Sequence, residues 1–173
     1  MALIIEDGTS KLNSNSYGNV DDLRTFASLR GIDLTAIDDA AVEVLLIKAM
    51  DYLEGKHDQF KGYKRKEEQS LCWPRDDVWD VEQPGQLTPN DMIPRRLVYA
   101  QFQLALDARD IDLQPTVDIS ANQEGAIRSV SVEGAVSIAY DAPVKQSYTP
   151  AFAKADAHLS PLLERSGLSL IRK

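Results

Sequence analysis

Apolar positions between Val20 and Asp110 recur at helical spacing in three runs, and beyond Pro115 they switch to strict alternation. In the first run Leu23, Phe26, Ala27 and Arg30 share a face. Asn19 can cap a helix over residues 20–30, Asp21 and Asp22 suit its positive end, and Gly31 supplies the stop. The second run is the strongest. Asp38 caps it, Gly55 ends it, and Val42, Leu45, Leu46, Ala49 and Leu53 form one stripe. Val44 and Ile47 lie off that stripe, so this helix is either central in its own domain or shared with a neighbouring subunit. The third run starts at Pro89 or Pro94, with Thr88 or Asn90 as cap, and continues to about Asp110. Leu97, Ala100, Leu104 and Ala108 make one face, and Val98, Phe102 and Ala105 a second. Arg95 and Arg96 sit near its start, where the helix dipole disfavours cations, so a carboxylate partner is expected.

From Ser129 to Tyr140 the period is two. Val130, Val132, Val136, Ile138 and Tyr140 alternate with small or polar residues, which predicts a strand with one apolar face, bent at Gly134. A lone strand leaves its edge groups unpaired. It must pair inside the chain, with Thr116–Ser120 the best candidate, or with another subunit. Val130, Val132, Val136 and Ile138, together with Val44 and Ile47, are therefore candidate subunit contacts. Pro150–His158 suits one or two helical turns. Ser160-Pro161 reads as a cap and first-position proline, with Leu162 and Leu163 behind and Gly167 as stop. The closing tail, with Leu168, Leu170, Ile171, Arg172 and Lys173, is apolar with a basic tip, and docks on its own domain or on another protein. These elements predict a mainly α fold: a small bundle of three to five helices, a long loop, and a β-strand or hairpin appendage before the C-terminal helix. The corresponding divisions are an N-terminal arm (1–18), a helical core (19–115), a β extension (116–148) and a C-terminal helix and tail (149–173).

The long loop, residues 56–88, has no sustained period, and an aperiodic connection of this length inside a compact domain usually carries an interaction or a function. Its centre is Gln69-Ser70-Leu71-Cys72-Trp73-Pro74-Arg75. Trp73 brings a large apolar surface, Pro74 fixes the backbone, and Arg75 offers a planar donor fork that suits a carboxylate or a cluster of carbonyls. Two readings follow: a buried structural lock, or a tryptophan that stacks on a ligand.

Composition narrows the function classes. The 173 residues fit one domain, and 43% hydrophobic and 27% charged content is ordinary for a globular protein. No apolar run is long enough for a membrane span, and the short apolar start lacks the basic flank of a signal peptide. One cysteine cannot form an internal disulfide, which fits synthesis in the cytoplasm. The net charge is −8 with a pI near 4.7, and the one dense basic run is Lys61-Gly62-Tyr63-Lys64-Arg65-Lys66. With Phe60 and Tyr63 it is the only candidate for a stacking, phosphate-binding groove. His57 and His158 have no metal-ligand spacing around them, and Cys72 has no catalytic histidine at a family-like spacing. No phosphate loop or dinucleotide fingerprint occurs. No cofactor, no metal and no enzymatic activity are expected.

Several segments together resemble a known family. They are Ile47-Lys48-Ala49-Met50-Asp51-Tyr52-Leu53-Glu54, Phe60-Lys61-Gly62, the Gln69–Arg75 element, Ile93-Pro94 and the Ser129–Tyr140 alternation. The set looks like tailed-phage head-completion proteins, the adaptor or head–tail connector family, some of which carry the label "DnaT-like single-stranded-DNA-binding protein". Cys72 stands where a small residue is usual, and Glu54 where Asp is. The resemblance implies a structural virion protein in the neck, between capsid and tail. It would form a homo-oligomeric ring, a dodecamer in the family, beneath the portal protein, extend the DNA channel and meet the next neck, tail or stopper component. Genomic DNA would pass through an acidic lumen without specific binding. On this view Trp73, Pro74, Arg75 and Gln69 read better as a structural lock than as a ligand platform, and the 168–173 tail is expected to dock on the portal. The alternative is a single-stranded-DNA-binding module of a phage replication system.

Overall fold

A computed structural model describes residues 2–80, 83, 85–115, 127–132, 136–140 and 151–164. The fold is mainly helical. The chain divides into two compact units, Met1–Leu113 with Phe152–Lys173, and Gln114–Ala151.

In the first unit, α1 (Val20–Ser28) is capped by Asn19, whose side chain accepts from the Asp22 N–H at 2.8 Å. It ends two residues before Arg30, and the chain reverses at Gly31 in the left-handed region. Helix α2 (Asp39–Glu54) is capped by the Asp38 carboxylate, 2.7 Å from the Ala41 N–H. Its predicted stripe is buried together with Met50. Val44 remains 46% exposed and Ile47 half-buried, so the off-stripe face is a surface of this chain.

The central helix is α3 (Arg95–Asp107), not α2. It packs on α2 and on α4 (Ala153–Leu159) and touches α1. Every residue from Ala100 to Leu106 is buried, including Gln101 and Gln103. Those two glutamines are why the apolar pattern ranks α2 above it. Gln101 is satisfied on all sides: its Oε1 accepts from the Tyr17 and Gly18 N–H groups, each at 3.1 Å. Its Nε2 donates to Ser16 Oγ at 2.8 Å and to the Leu46 carbonyl at 3.2 Å. A buried amide with four partners positions a segment at little cost.

The segment so positioned is the N-terminal loop, residues 2–18. Read from sequence as a polar arm, it folds back on the helical body. Glu6 is 1% exposed, and its carboxylate accepts from the N–H groups of Gly8 (2.9 Å), Ser10 (3.0 Å) and Lys11 (2.7 Å), and from the Ser14 hydroxyl (3.3 Å). Donors aimed at one carboxylate let a chain with few apolar residues adopt one shape.

Two short strands, β1 (Tyr63–Lys64) and β2 (Arg75–Asp76), pair antiparallel across the long loop, Tyr63 opposite Asp76. Gly62 just before β1 has a left-handed φ of 69°, and a side chain there would run into the Asp76 carbonyl. The region after α4 differs from expectation. Ser160 closes α4 instead of opening a second helix. Leu163 then bridges Phe60, with the Lys61 N–H on the Leu162 carbonyl at 3.0 Å and the Glu164 N–H on the Gln59 carbonyl at 2.7 Å. The backbone partners offered by the long loop outcompete a helix start. Gly167 lies outside the described residues.

The second unit contains an antiparallel hairpin, β3 (Ile127–Val132) and β4 (Val136–Tyr140). Of the expected strand or hairpin, the hairpin forms: the alternating stretch is two strands paired with each other, with Gly134 between them in the sequence. Val130 is opposite Ile138 and Val132 opposite Val136, while a register shift between Ile127 and Ser129 sets Ile127 opposite Tyr140. Residues 116–120 lie outside the described residues.

Candidate nucleic-acid interface

The Gln69–Arg75 element turns its chemistry inward. Trp73 is fully buried, edge-on to Phe60 with ring centres 6.3 Å apart, and its backbone N–H donates to the Tyr17 hydroxyl at 3.1 Å. The peptide bond to Pro74 is cis. Gln69 Nε2 donates to the carbonyls of Leu71 and Pro74, both at 2.9 Å, while its Oε1 accepts from the Lys66 N–H at 3.0 Å. Arg75 is buried and finds carbonyls, not a carboxylate: Lys61 (2.8 Å), Gly62 (2.6 Å), Phe60 (3.3 Å) and Cys72 (3.4 Å). Burial lowers its pKa from the usual guanidinium value. The Cys72 thiol donates to Glu54 at 3.0 Å, and burial, then that carboxylate, push its pKa up to about 12. Trp73 has no exposed face on which a ligand could stack.

The basic run is also spent on structure. Lys61 Nζ donates to the Pro161 carbonyl (2.8 Å), Arg65 to those of Gly8 (3.2 Å) and Asn90 (3.0 Å), and Lys66 to that of Thr9 (3.3 Å). Phe60 is buried. Tyr63 is exposed, but the charge on Asp77 raises its phenol pKa, so its surroundings are acidic. No stacking groove forms there among the described residues.

Aromatic and cationic groups do meet elsewhere. A cleft of about 650 Å³ opens between the loop after β2, the start of α3 and the end of α4. Trp79 stands on its rim, 61% exposed. Its loop is held by a bridge to Leu87, by the Asp80 N–H on the Gln86 carbonyl at 2.9 Å, and by the Thr88 N–H on the Val78 carbonyl at 2.8 Å. Met92 adds an exposed apolar side chain. Arg95, Arg96 and Tyr99 come from α3, and His158 from α4. The α3 N-terminus itself faces this cleft through Pro94. It has no side-chain cap hydrogen bond and no acidic residue in its first turn, so the helix adds positive potential to that of the arginines. Arg95 donates to the Tyr99 hydroxyl (Nε, 2.7 Å) and lies over the ring at 4.8 Å. At Arg95 a phenol takes the place where a carboxylate was expected. His158 meets Tyr99 edge-on at 5.8 Å, and its pKa is lowered by burial and then by the charges of Arg30 and Arg96. Asp80 is the one carboxylate among the described lining residues. The cleft can therefore offer a flat apolar face and a cationic end to one ligand.

The cleft leaves little trace in the sequence. Trp79, Arg95 and His158 are far apart in the chain, and no period links them. The only signals were the second tryptophan in the aperiodic loop and the arginine pair at a helix start. The candidate subunit contacts fall in two places, Val44 and Ile47 on the outer side of α2, and Val130, Val132, Val136 and Ile138 in the hairpin unit. Leu168, Leu170, Ile171, Arg172 and Lys173 lie outside the described residues. Among the described residues no group of three His, Cys, Asp or Glu side chains could hold a metal ion, and no helix is long and apolar enough to cross a membrane.

One family matches over residues 1–173, and its description is "Putative DnaT-like ssDNA binding protein". The chain belongs to this DnaT-like family. No curated protein and no solved structure matches it. The DnaT-like description carries the label noted from sequence and says nothing of a head–tail connector. It supports the single-stranded-DNA alternative over the connector reading.

Proposed function

We propose that the protein binds single-stranded DNA and that the Trp79 cleft is where it does so. The observation that carries the reading is an exposed indole beside Arg95, Arg96 and His158 at an uncapped helix start. Bases stack on aromatic faces whatever their sequence, and cations with helix N-termini hold the phosphates. The family description points the same way. A net charge of −8 opposes nonspecific contact elsewhere on the surface, which confines binding to the cleft. No catalytic step belongs to this reading. The test is affinity for single-stranded oligonucleotides against salt concentration. Binding should weaken as salt rises, and Arg95→Gln with Arg96→Gln should flatten the slope by roughly 0.7 for each phosphate no longer neutralised. Absence of binding at low salt would sink the proposal.

A second reading, the connector ring at the portal, has its own support. Among the described residues β3 and β4 pair only with each other, within the Gln114–Ala151 unit. An isolated two-stranded hairpin is marginal in water, and its alternating apolar set Val130, Val132, Val136 and Ile138 suits cover by a neighbouring subunit. On this reading the protein lies in the virion neck and meets the portal and a tail-side component. Native mass spectrometry with the portal, and a search for the chain in purified virions, test it. A monomer that ignores the portal would count against it.

A further inference from the structure

We infer that the cleft holds a single nucleotide unit, its base on Trp79 and its phosphate towards Arg95 and Arg96, and does not track a strand. This rests on the single-stranded-DNA reading and adds to it the size and form of the ligand.

Three observations set the size. The cleft measures about 650 Å³, within the roughly 300–1,000 Å³ of sites that enclose one small ligand. Among the described residues it offers one free aromatic platform, because Tyr99 already lies under Arg95 and against His158. Strand-tracking domains instead cover about 4–16 nucleotides with successive stacking residues. The cations of the basic run, Lys61, Lys64, Arg65 and Lys66, are directed to backbone carbonyls, and Tyr63 among them sits next to Asp77. A strand leaving the cleft meets neither a second stacking face nor a run of free cations among the described residues. The geometry therefore grips a strand at one nucleotide, and longer coverage needs several copies of the chain.

Trp79 also supplies the probe. The only other tryptophan, Trp73, is fully buried, so quenching of indole emission by a bound base reports the cleft. The experiment titrates 5′-phosphorylated thymidine dinucleotide, tetranucleotide, octanucleotide and hexadecanucleotide into the full chain. Affinity per site should rise from the shortest to the longest by no more than about tenfold, the gain that extra binding registers can give. Trp79→Ala should weaken dinucleotide binding, followed by anisotropy of a labelled strand, by about ten- to a hundredfold. Trp79→Phe should abolish quenching while keeping most of the affinity. Affinity that climbs by orders of magnitude with length, at one chain per strand, overturns the single-unit site and leaves the single-strand reading standing. Quenching that persists in Trp79→Phe places the strand elsewhere and overturns it as well. No binding at any length overturns both and leaves the cleft to a protein partner.

Discussion

The Arg75 guanidinium donates to the Lys61 carbonyl across the loop at 2.8 Å. Of the two partners its donor fork suits, a carboxylate or a cluster of carbonyls, it takes the second and gathers neutral backbone oxygens, Gly62 and Phe60 among them. The planar fork reaches them together, and a lysine ammonium on a flexible stem cannot. Arg75→Lys should therefore cost about 2–3 kcal/mol, because buried carbonyls lose their donors. Urea denaturation measures this. A loss under about 0.5 kcal/mol, the range of an ordinary surface change, would show that water replaces the fork.

Glu6 organises the N-terminal loop, and the prediction there separates charge from hydrogen bonding. Glu6→Gln keeps the shape but replaces one acceptor oxygen by a donor facing backbone N–H groups. The charge-assisted bonds it removes are worth about 1.5–3 kcal/mol each at most, and the loop bears the loss locally. Proteolysis should then begin within residues 7–15 while the helical body stays protected. Unchanged cleavage kinetics would mean that Gln101, through Tyr17 and Gly18, holds the loop unaided.

The sequence made the helices legible because their signals are local. Asn19, Asp38 and Gly31 act within a turn of their own position, and the α2 stripe needs only its own period. What was not legible rests on partners far along the chain. Gln101 looks like an exposed polar residue until Ser16, Tyr17, Gly18 and Leu46 surround it. Leu163 follows a convincing helix start, yet a bridge to Phe60 takes it. The cleft failed to appear for the same reason, as only the packing of α3 on α4 brings His158 to Tyr99. The Gln69–Arg75 element was legible in kind, since residue types indicated a plug and a fork for a carboxylate or a cluster of carbonyls, but which carbonyls it gathers depends on packing.

The two tryptophans should separate stability from binding. Trp73 is fully buried and Trp79 largely exposed. Trp73→Ala should cost about 3–5 kcal/mol through cavity formation. Trp79→Ala should cost no more than about 0.5 kcal/mol yet remove most single-strand binding. Thermal melts paired with oligonucleotide titrations read both effects. If Trp73→Ala were stable and selectively deficient in DNA binding, the buried-lock assignment would be wrong.

Cys72 offers a measure of opening. Its thiol is buried, held by Glu54, and has its pKa pushed up to about 12, so almost no thiolate exists near neutrality. Alkylation of the native protein at pH 8 should be slower than that of the unfolded chain by orders of magnitude, and should accelerate in Trp73→Ala in step with its reduced stability. Rapid labelling of the native protein would show that the loop opens independently of the helical body.

His158 should give stability and binding opposite pH dependences. Tyr99 from α3 packs against it, Arg96 from α3 and Asp80 from the loop line the same cleft, and burial with the charges of Arg96 and of Arg30, in the turn after α1, holds its pKa below the usual value. The unfolded chain takes up the proton near pH 6.5, whereas the folded chain does so only at lower pH. Between those points the unfolded state binds more protons, so stability of the free protein is constant above about pH 6.5 and falls as acid is added. A phosphate in the cleft reverses the local potential and favours the imidazolium, so affinity for the dinucleotide should rise as pH drops through the same window. Asp7, whose pKa its hydrogen bond to Lys11 holds at about 2, cannot account for either slope, because its stabilising contribution is lost only at much lower pH. Melting temperature and dinucleotide affinity measured between about pH 5.5 and 7.5 test this. His158→Gln should flatten both curves. Slopes of the same sign, or slopes that survive the substitution, would remove His158 from the phosphate end of the cleft and assign that end to the two arginines alone.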